Sequence, residues 1–509
     1  MKIFLRLALI WIFIYTALPA HCASIIAMCR NTNRSVRRCA PKNIFFPTYS
    51  TSNNIMKYRI DRGAIGEISQ ADAKNFAEEV LGLWETQSGI DFQASGDGYL
   101  PVDVTRNNYR TYLNNRKALG YSPVIWDQSG SLIDELFGGG AKLNILGFAG
   151  VNIYKKNKNG FALGITESQS VFNGFLFDGA NTGEDTTTVV NNFKTTILHE
   201  FGHMFGLDHT QGGDMEGYLN YDPQQDSLSA LENIPVMFPI SANPLVELQQ
   251  DDIAAVRLAY PKGDEASLYG SISGTLKQIG AGIKGANVIA YPIDDPEPRK
   301  RAVACPSDVD GRGMGKFLLA NLVPGKYIIK AEPLNENFIG GSAVGIHYPI
   351  DPSNLIESFY MGDGVAALRS SDLNTGIAQA YQITVSAGSM ANINFDLDLA
   401  TFKFKSNRLR DPIRLNDRSK RVIRLTLQNL YPGQTRNLEL TTSYPGLIEF
   451  LPTQINFSKK YFTIKIRLAS YASFLAQLPE IENSGVKIPI QIDDLNTGYT
   501  LDTEEFWLF

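Results

Sequence analysis

The sequence predicts a multidomain protein in which one α/β (α+β) domain is followed by two all-β sandwich domains. Three observations predict it. The chain is 509 residues long and 44% hydrophobic, enough for about three packed cores at the usual domain size. Between residues 55 and 262, strand-like runs alternate with two long segments of helical apolar spacing. After Gly263 that spacing gives way to short alternating runs separated by turn residues. The formal net charge of -5 supplies no electrostatic reason to expect a nucleic-acid partner.

The chain opens with MKIFLRLALIWIFIYTALPAHCAS. Lys2 and Arg6 precede an apolar run from Leu7 to Leu18, and small residues follow at Ala20 and Ala23, so residues 1–23 read as a secretory signal peptide. The run is short for a bilayer span and no other stretch approaches the needed length, so no transmembrane span is expected after signal removal. Cys22 sits where a lipid-modified cysteine would sit, but His21 departs from the small residue such sites carry. Export makes a Cys29–Cys39 disulfide the natural expectation, with Cys305 an unpaired thiol. Residues 24–54, rich in Asn, Ser, Arg and Pro, read as a poorly structured lead-in.

The first domain spans 55–262. IMKYRI has strand character, and the segment after Ser69 places Phe76, Val80, Leu83 and Trp84 at helical spacing, with Ser69 and Asp72 as a capping pair. IDFQ, KLNILGFAGVNIY and FALGITES are strand candidates, and TTVVNNFKTTILHEFGHMFGL is the second long helix. Two β-sandwiches are expected next, over 266–399 and 400–509. In the first of these, DDPEPRKR and ACPSDVDGRGMG read as a polar surface connection that contains Cys305. In the second, residues 402–425 gather nine basic residues against two acidic ones. The stretch 403–424 reads either as a grip for a polyanion or as the solvated face of a strand.

The chemistry is concentrated in HEFGHMFGLDH, residues 199–209. His199 and His203 are four apart and project about 40° from one another on a helix, close enough to share a metal ion. The apolar stripe Val190, Phe193, Ile197, Phe201 and Met204 lies on another face of the same helix. A helix continued through Gly206 would carry His209 away, whereas glycine admits a left-handed turn that brings it back. Three imidazoles then leave a fourth zinc position open to water, and Glu200 stands beside it as a general base. The chain has five histidines and three of them fall in these eleven residues.

His199, Glu200, His203, Gly206 and His209 resemble the metzincin signature of zinc endopeptidases. The resemblance implies that Met237, in PVMFPI, forms the turn beneath the zinc ligands. It also implies that Pro239 lines a substrate pocket in the manner of the matrixin branch. LQQDDIAAVRLAYP is similar to the matrixin C-terminal helix, and 27 residues separate His209 from Met237, more than matrixins usually have. By the same resemblance an extended peptide would pair with an exposed strand ahead of the active-site helix. FALGITES is the segment expected there, with Ala162, Leu163 and Gly164 as substrate-binding residues. ISGTL, GANVIAYP and GKFLLANLVPGKYIIKAEP resemble a carboxypeptidase regulatory-like (transthyretin-like) sandwich, which implies no chemistry of its own.

These readings imply a secreted or extracytoplasmic zinc metalloendopeptidase with one catalytic Zn2+ and a protein or peptide substrate. A cell-surface or extracellular polymer is a further partner for the β-sandwich domains. Calcium is the second cation considered, at Asp127 and Asp134 or at Asp178, Glu184 and Asp185, where ordinary capped turns are the better expectation. The alternative from another class is a catalytically silent adhesion or scaffold protein that binds through its β-sandwich modules. A third reading keeps the enzyme and makes its substrate a non-protein amide.

Overall fold

The computed structural model of the chain describes residues 28–29, 44–45, 48–49, 54–113, 118–156, 162–210, 212, 232–239, 246–278, 281–308, 313–334, 355, 357–363, 365, 367–397, 402–404, 422–429, 436–457, 461–478, 486–494 and 499–508. The signal segment with His21 and Cys22, then Cys39, His347, the insertion 213–231 and residues 405–421 of the basic stretch lie outside the described residues. The expected Cys29–Cys39 pair therefore lies outside them too. Among the described residues no helix is long and apolar enough to cross a membrane.

Many β-strands and a few helices build the chain, in two compact units. The first comprises residues 1–276, 282–360 and 370–394, and the second residues 277–281, 361–369 and 395–509. The domain expected over 55–262 and most of that expected over 266–399 thus form one body.

Its first half is a five-stranded sheet of β1 (Ile55–Ile60), β2 (Asp91–Tyr99), β3 (Ser122–Asp127), β4 (Gly147–Lys156) and β5 (Ala162–Asn173), in the order β2-β1-β3-β5-β4. The first four strands in that order are parallel, and β4 runs antiparallel at the edge. Both faces are covered, so alternate residues enter different cores. Val124, Trp126 and Phe172 join a core with α1 (Gln70–Gln87) and α3 (Thr186–Met204), whereas Ile125 and Val171 join Leu132 and Ile133 of α2 (Ser131–Phe137).

Helix α1 starts where its sequence supplies a cap. The Ser69 hydroxyl accepts the Asp72 amide at 3.2 Å and donates to the Asp72 carboxylate at 2.6 Å. Val80 and Trp84 are buried, Phe76 and Leu83 partly so. The Trp84 indole Nε1 donates to the Leu198 carbonyl of α3 at 3.0 Å, so one side chain satisfies its own polar atom while locking the two helices together. Asp185 caps α3 by accepting the Thr188 amide at 2.9 Å. Phe193, Ile197, Phe201 and Met204 of its apolar stripe are fully buried, with Val190 partly so.

The second half of this unit is a sandwich. One sheet has the path β8 (Val303–Pro306), β7 (Ala286–Pro292), β10 (Gly325–Pro333) and β11 (Ser358–Phe359), with β12 (Ile383–Val385) also on β10. The other has the order β9 (Lys316–Leu322), β6 (Gly270–Gln278), β13 (Met390–Asp396). One expectation is corrected here. Cys305 is not in a surface connection: it lies in β8, fully buried, and its thiol donates to the Pro306 carbonyl at 3.4 Å. The VACP run is short enough to read as loop, yet pairing with β7 gives its backbone groups partners. Helix α4 (Gln250–Ala259) packs against β8 and β9, which is why the two halves fold as one unit.

The second unit contains two four-stranded sheets. Their orders are β14 (Phe402–Phe404), β15 (Val422–Asn429), β19 (Tyr461–Leu468), β17 (Ile448–Leu451), and β18 (Gln454–Phe457), β16 (Arg436–Thr442), β20 (Val486–Asp494), β21 (Tyr499–Leu508). Leu438 and Leu440, Ile464 and Ile466, and Ile488, Ile490 and Ile492 are buried at every second position, the pattern of sheets with one inward face.

Candidate metal centre

His199 and His203 stand on the last turns of α3. After Met204 the helix ends and Gly206 adopts φ +98°, a conformation an L side chain rarely takes. The Leu207 amide bonds back to the Gly202 carbonyl at 2.9 Å, and the reversed chain returns His209 toward the helix. The three Nε2 atoms lie 3.2 Å (His199 to His203), 3.2 Å (His203 to His209) and 3.3 Å (His199 to His209) apart. Among the described residues this is the set of metal-capable side chains that converges.

The donor set fits zinc. Nitrogen ligands at 2.0–2.1 Å on a tetrahedral ion lie about 3.3–3.4 Å from one another, which matches the spacing found. The remaining ring nitrogens fix the tautomers. His199 Nδ1 lies 2.6 Å from the Val236 carbonyl and His203 Nδ1 2.8 Å from the Leu207 carbonyl. A carbonyl oxygen only accepts, so each Nδ1 carries the proton and each Nε2 offers its lone pair. Burial, then the neighbouring His203 and His209, hold His199 well below the usual imidazole range, and burial with His209 lowers His203 to about 4. Both are therefore neutral at neutral pH, the form a metal requires.

Glu200 is buried and receives the Ala149 amide of β4. Burial pushes its carboxyl up to about 8, with that amide opposing the shift, so the metal-free protein keeps it protonated at pH 7. A cation at the histidines would act in the opposite direction. Three imidazoles, an open fourth position and an adjacent carboxyl can hold a zinc-bound water and accept a proton from it.

Met237 lies beneath the helix. A Cβ added to Gly202 would fall 2.2 Å from Met237 Sδ and 2.9 Å from its Cε, so the glycine between the first two histidines is what admits the methionine. The turn carrying it is held by Asp252, whose carboxylate accepts the amides of Val236 (2.9 Å), Met237 (3.0 Å) and Gln249 (3.0 Å). Sequence reasoning missed Gly202 and Asp252. The first is visible only as a small residue inside a motif, and the second only as an acid in a helical first turn. Pro239, half-buried, follows the turn.

Ala162, Leu163 and Gly164 open β5, where Ala162 pairs with Lys156 and Gly164 with Lys155 of β4, the border strand of the sheet, while β3 joins β5 from Ser170 to Asn173. The carboxylates considered for calcium serve as caps: Asp127 accepts the Leu132 and Ile133 amides, Asp178 that of Ala180 and Asp185 that of Thr188. Asp134 accepts the Lys142 amide at 3.0 Å, and Glu184 the Asn192 side-chain amide at 3.1 Å.

No family model matches the chain, and no curated protein matches it. Among solved structures it is similar to BcpA, the major pilin subunit of Bacillus cereus, with 12% identity over 47% of this chain and 69% of that one, at a TM-score of 0.24. It is similar also to the full-length major pilin SpaD of Corynebacterium diphtheriae, with 8% identity over 48% of this chain and 66% of that one, at a TM-score of 0.21. Domains 4 and 5 of the S-layer protein SbsC share 9% identity over 38% of this chain and 62% of that one, at 0.13.

One finding corrects the expectations drawn from resemblance: no family model matches the chain, so membership of the metzincins, the carboxypeptidase regulatory-like identity of 266–399 and the assignment as a zinc metalloendopeptidase are withdrawn. The physical reason is that HEFGHMFGLDH encodes a ligand geometry. Ancestry is a separate matter, and turnover further needs a substrate bound and oriented.

Proposed function

We propose that the chain is an extracytoplasmic, surface-associated scaffold or adhesion protein whose α/β domain carries one zinc ion. Its all-β domains supply the contact surfaces toward a cell-surface or extracellular polymer. The observation that carries the metal reading is the mutual spacing of three imidazole nitrogens, 3.2, 3.2 and 3.3 Å, two on α3 and the third beyond its end. His199, His203 and His209 are the ligands, Gly206 and Met237 support them, and Glu200 holds or takes a proton beside them. Bound zinc would supply Lewis acidity and an acidified water at its fourth position. The apolar leader ahead of Ala23 supports export.

The test is to purify the chain without residues 1–23, alongside His203→Ala and Glu200→Ala variants, and to determine zinc per chain. Each protein is then incubated with an unstructured protein, with and without a chelator. One zinc in the parent and in Glu200→Ala, little in His203→Ala, and an intact substrate throughout are expected. A parent that holds no zinc overturns the metal reading. Chelator-sensitive cleavage by the parent, lost in Glu200→Ala, overturns the silent scaffold and leaves the metal in place.

A further inference from the structure

We propose that the first β-sandwich is part of the support of the metal centre, with Asp251 as the positioning residue that ties the segment after His209 to Ala304 of β8. This rests on the zinc reading above.

The third ligand is the one that most needs such support. His199 and His203 are placed by the hydrogen-bond ladder of α3, but His209 lies beyond the end of the helix, so its position depends on tertiary contacts. Those contacts act on the next residue. The Thr210 amide donates to the Met237 carbonyl at 2.8 Å, and the Thr210 side chain bonds to the Asp251 carboxylate. Asp251 is 1% exposed, and its Oδ1 accepts the backbone amide of Ala304 at 2.7 Å. Gly212 is wedged into the same junction. A Cβ there would lie 3.1 Å from Asp251 Cγ and Oδ2 and 3.3 Å from the Ala304 Cβ.

One carboxylate therefore joins the loop that leaves the third histidine to a strand of the sandwich. Ala304 is not a loose partner, because β8 pairs with β7 through Asn287 to Ala290. Two more hydrogen bonds fix the same interface away from the metal loop: Gln250 Nε2 donates to the Asn321 carbonyl at 3.0 Å, and Asn321 Nδ2 donates to the Ala254 carbonyl at 3.1 Å. That pair supplies the control, since a sandwich that merely docks would respond alike to loss of either contact.

The experiment uses the full chain without its leader. Zinc affinity is measured by chelator competition, and the ligand field by the visible absorption of the cobalt(II)-substituted protein. Cooperative thermal unfolding serves as the check on folding. Asp251→Ala should weaken zinc binding about tenfold, the lower end of what outer-shell partners contribute, and should alter the cobalt spectrum. Asp251→Asn keeps an oxygen for the Ala304 amide and should restore most of the affinity. Asn321→Ala should leave zinc affinity within about twofold of the parent, as expected for a change outside the network. Parental affinity in Asp251→Ala, or an equal loss in Asn321→Ala, overturns the inference while the zinc reading stands. If Asp251→Ala does not unfold cooperatively, Gly212→Ala replaces it under the same criteria, because its methyl crowds the junction without removing a hydrogen bond. A parent without zinc overturns both.

Discussion

Asp252→Ala is the substitution whose consequence can be worked furthest from the structure. Asp252 is fully buried, and its carboxylate is the acceptor for three backbone amides, those of Val236, Met237 and Gln249, at 2.9–3.0 Å. Alanine leaves all three donors without it. Each orphaned buried group costs about 1–3 kcal/mol, and water entering the vacated carboxylate volume recovers part of this, so the expected loss is about 3–5 kcal/mol. Against a typical total of about 5–15 kcal/mol that is a large fraction. The loss should not be confined to stability. The Val236 carbonyl that orients His199 belongs to the same turn, so zinc affinity should fall about tenfold as well. Urea unfolding of the metal-free variant gives the first quantity and chelator competition the second. A stability loss under about 1 kcal/mol with parental zinc affinity would refute the view that this carboxylate builds the turn.

Other expectations follow from single contacts. Gly206→Ala forces a side chain onto φ +98°, at a cost of about 1–2 kcal/mol, and should weaken zinc binding by displacing His209, read by the same competition assay. Tyr260→Phe removes a hydroxyl that donates to the Phe205 carbonyl at 2.5 Å and accepts the Tyr49 amide at 3.1 Å, and should cost about 2–3 kcal/mol in urea unfolding. Asp61 gives a pH signature. Burial raises its carboxyl to about 7, against the amides of Val104 and Trp126, whereas the unfolded chain ionises near 4. Between those values the folded state binds the extra proton, so this contribution is full below about pH 4 and is lost as pH rises through 7. Asp61→Asn should reduce that slope in urea midpoints measured across the window, while costing about 1–3 kcal/mol because an amide nitrogen must face a backbone donor. An unchanged slope would show that Asp61 does not carry it.

What was legible in the sequence was local. The helix over 186–204, its apolar stripe and the histidine pair follow from a 3.6-residue period, and a glycine after the last turn announces a reversal. Strand existence was legible for the same reason, as a two-residue period. Strand position was not. FALGITES reads as a strand of its own, whereas it is the first part of a longer strand that pairs with β4 from Ala162 and meets β3 only beyond it, from Ser170 to Asn173. VACP reads as loop because four residues hold too little pattern, and its burial comes from β7 beside it. Gly202 and Asp252 were silent because their partners lie far along the chain. The meeting of Gly202 with Met237 spans 35 positions, and that of Asp252 with Val236 spans 16.

The least legible feature is also the one that joins the halves of the first unit. Asp251 and Asp252 are adjacent, yet consecutive side chains on a helix point about 100° apart, and the two carboxylates serve different structures. Asp252 faces the Val236–Met237 turn under His199, and Asp251 faces Thr210 and, across the interface, Ala304. Burying two neighbouring carboxylates is costly in general. Here both occupy the first turn of α4, where the exposed amides of the helix end favour negative charge, and Asp252 also caps that end through the Gln249 amide. The arrangement joins the sandwich to the domain that carries the three histidines through one buried carboxylate. Removing the sandwich would take away the Ala304 donor and open Asp251 to water, next to the loop of the third ligand. The same logic runs in reverse, since a metal that fixes His209 also fixes Thr210 and hence the acceptor that β8 needs.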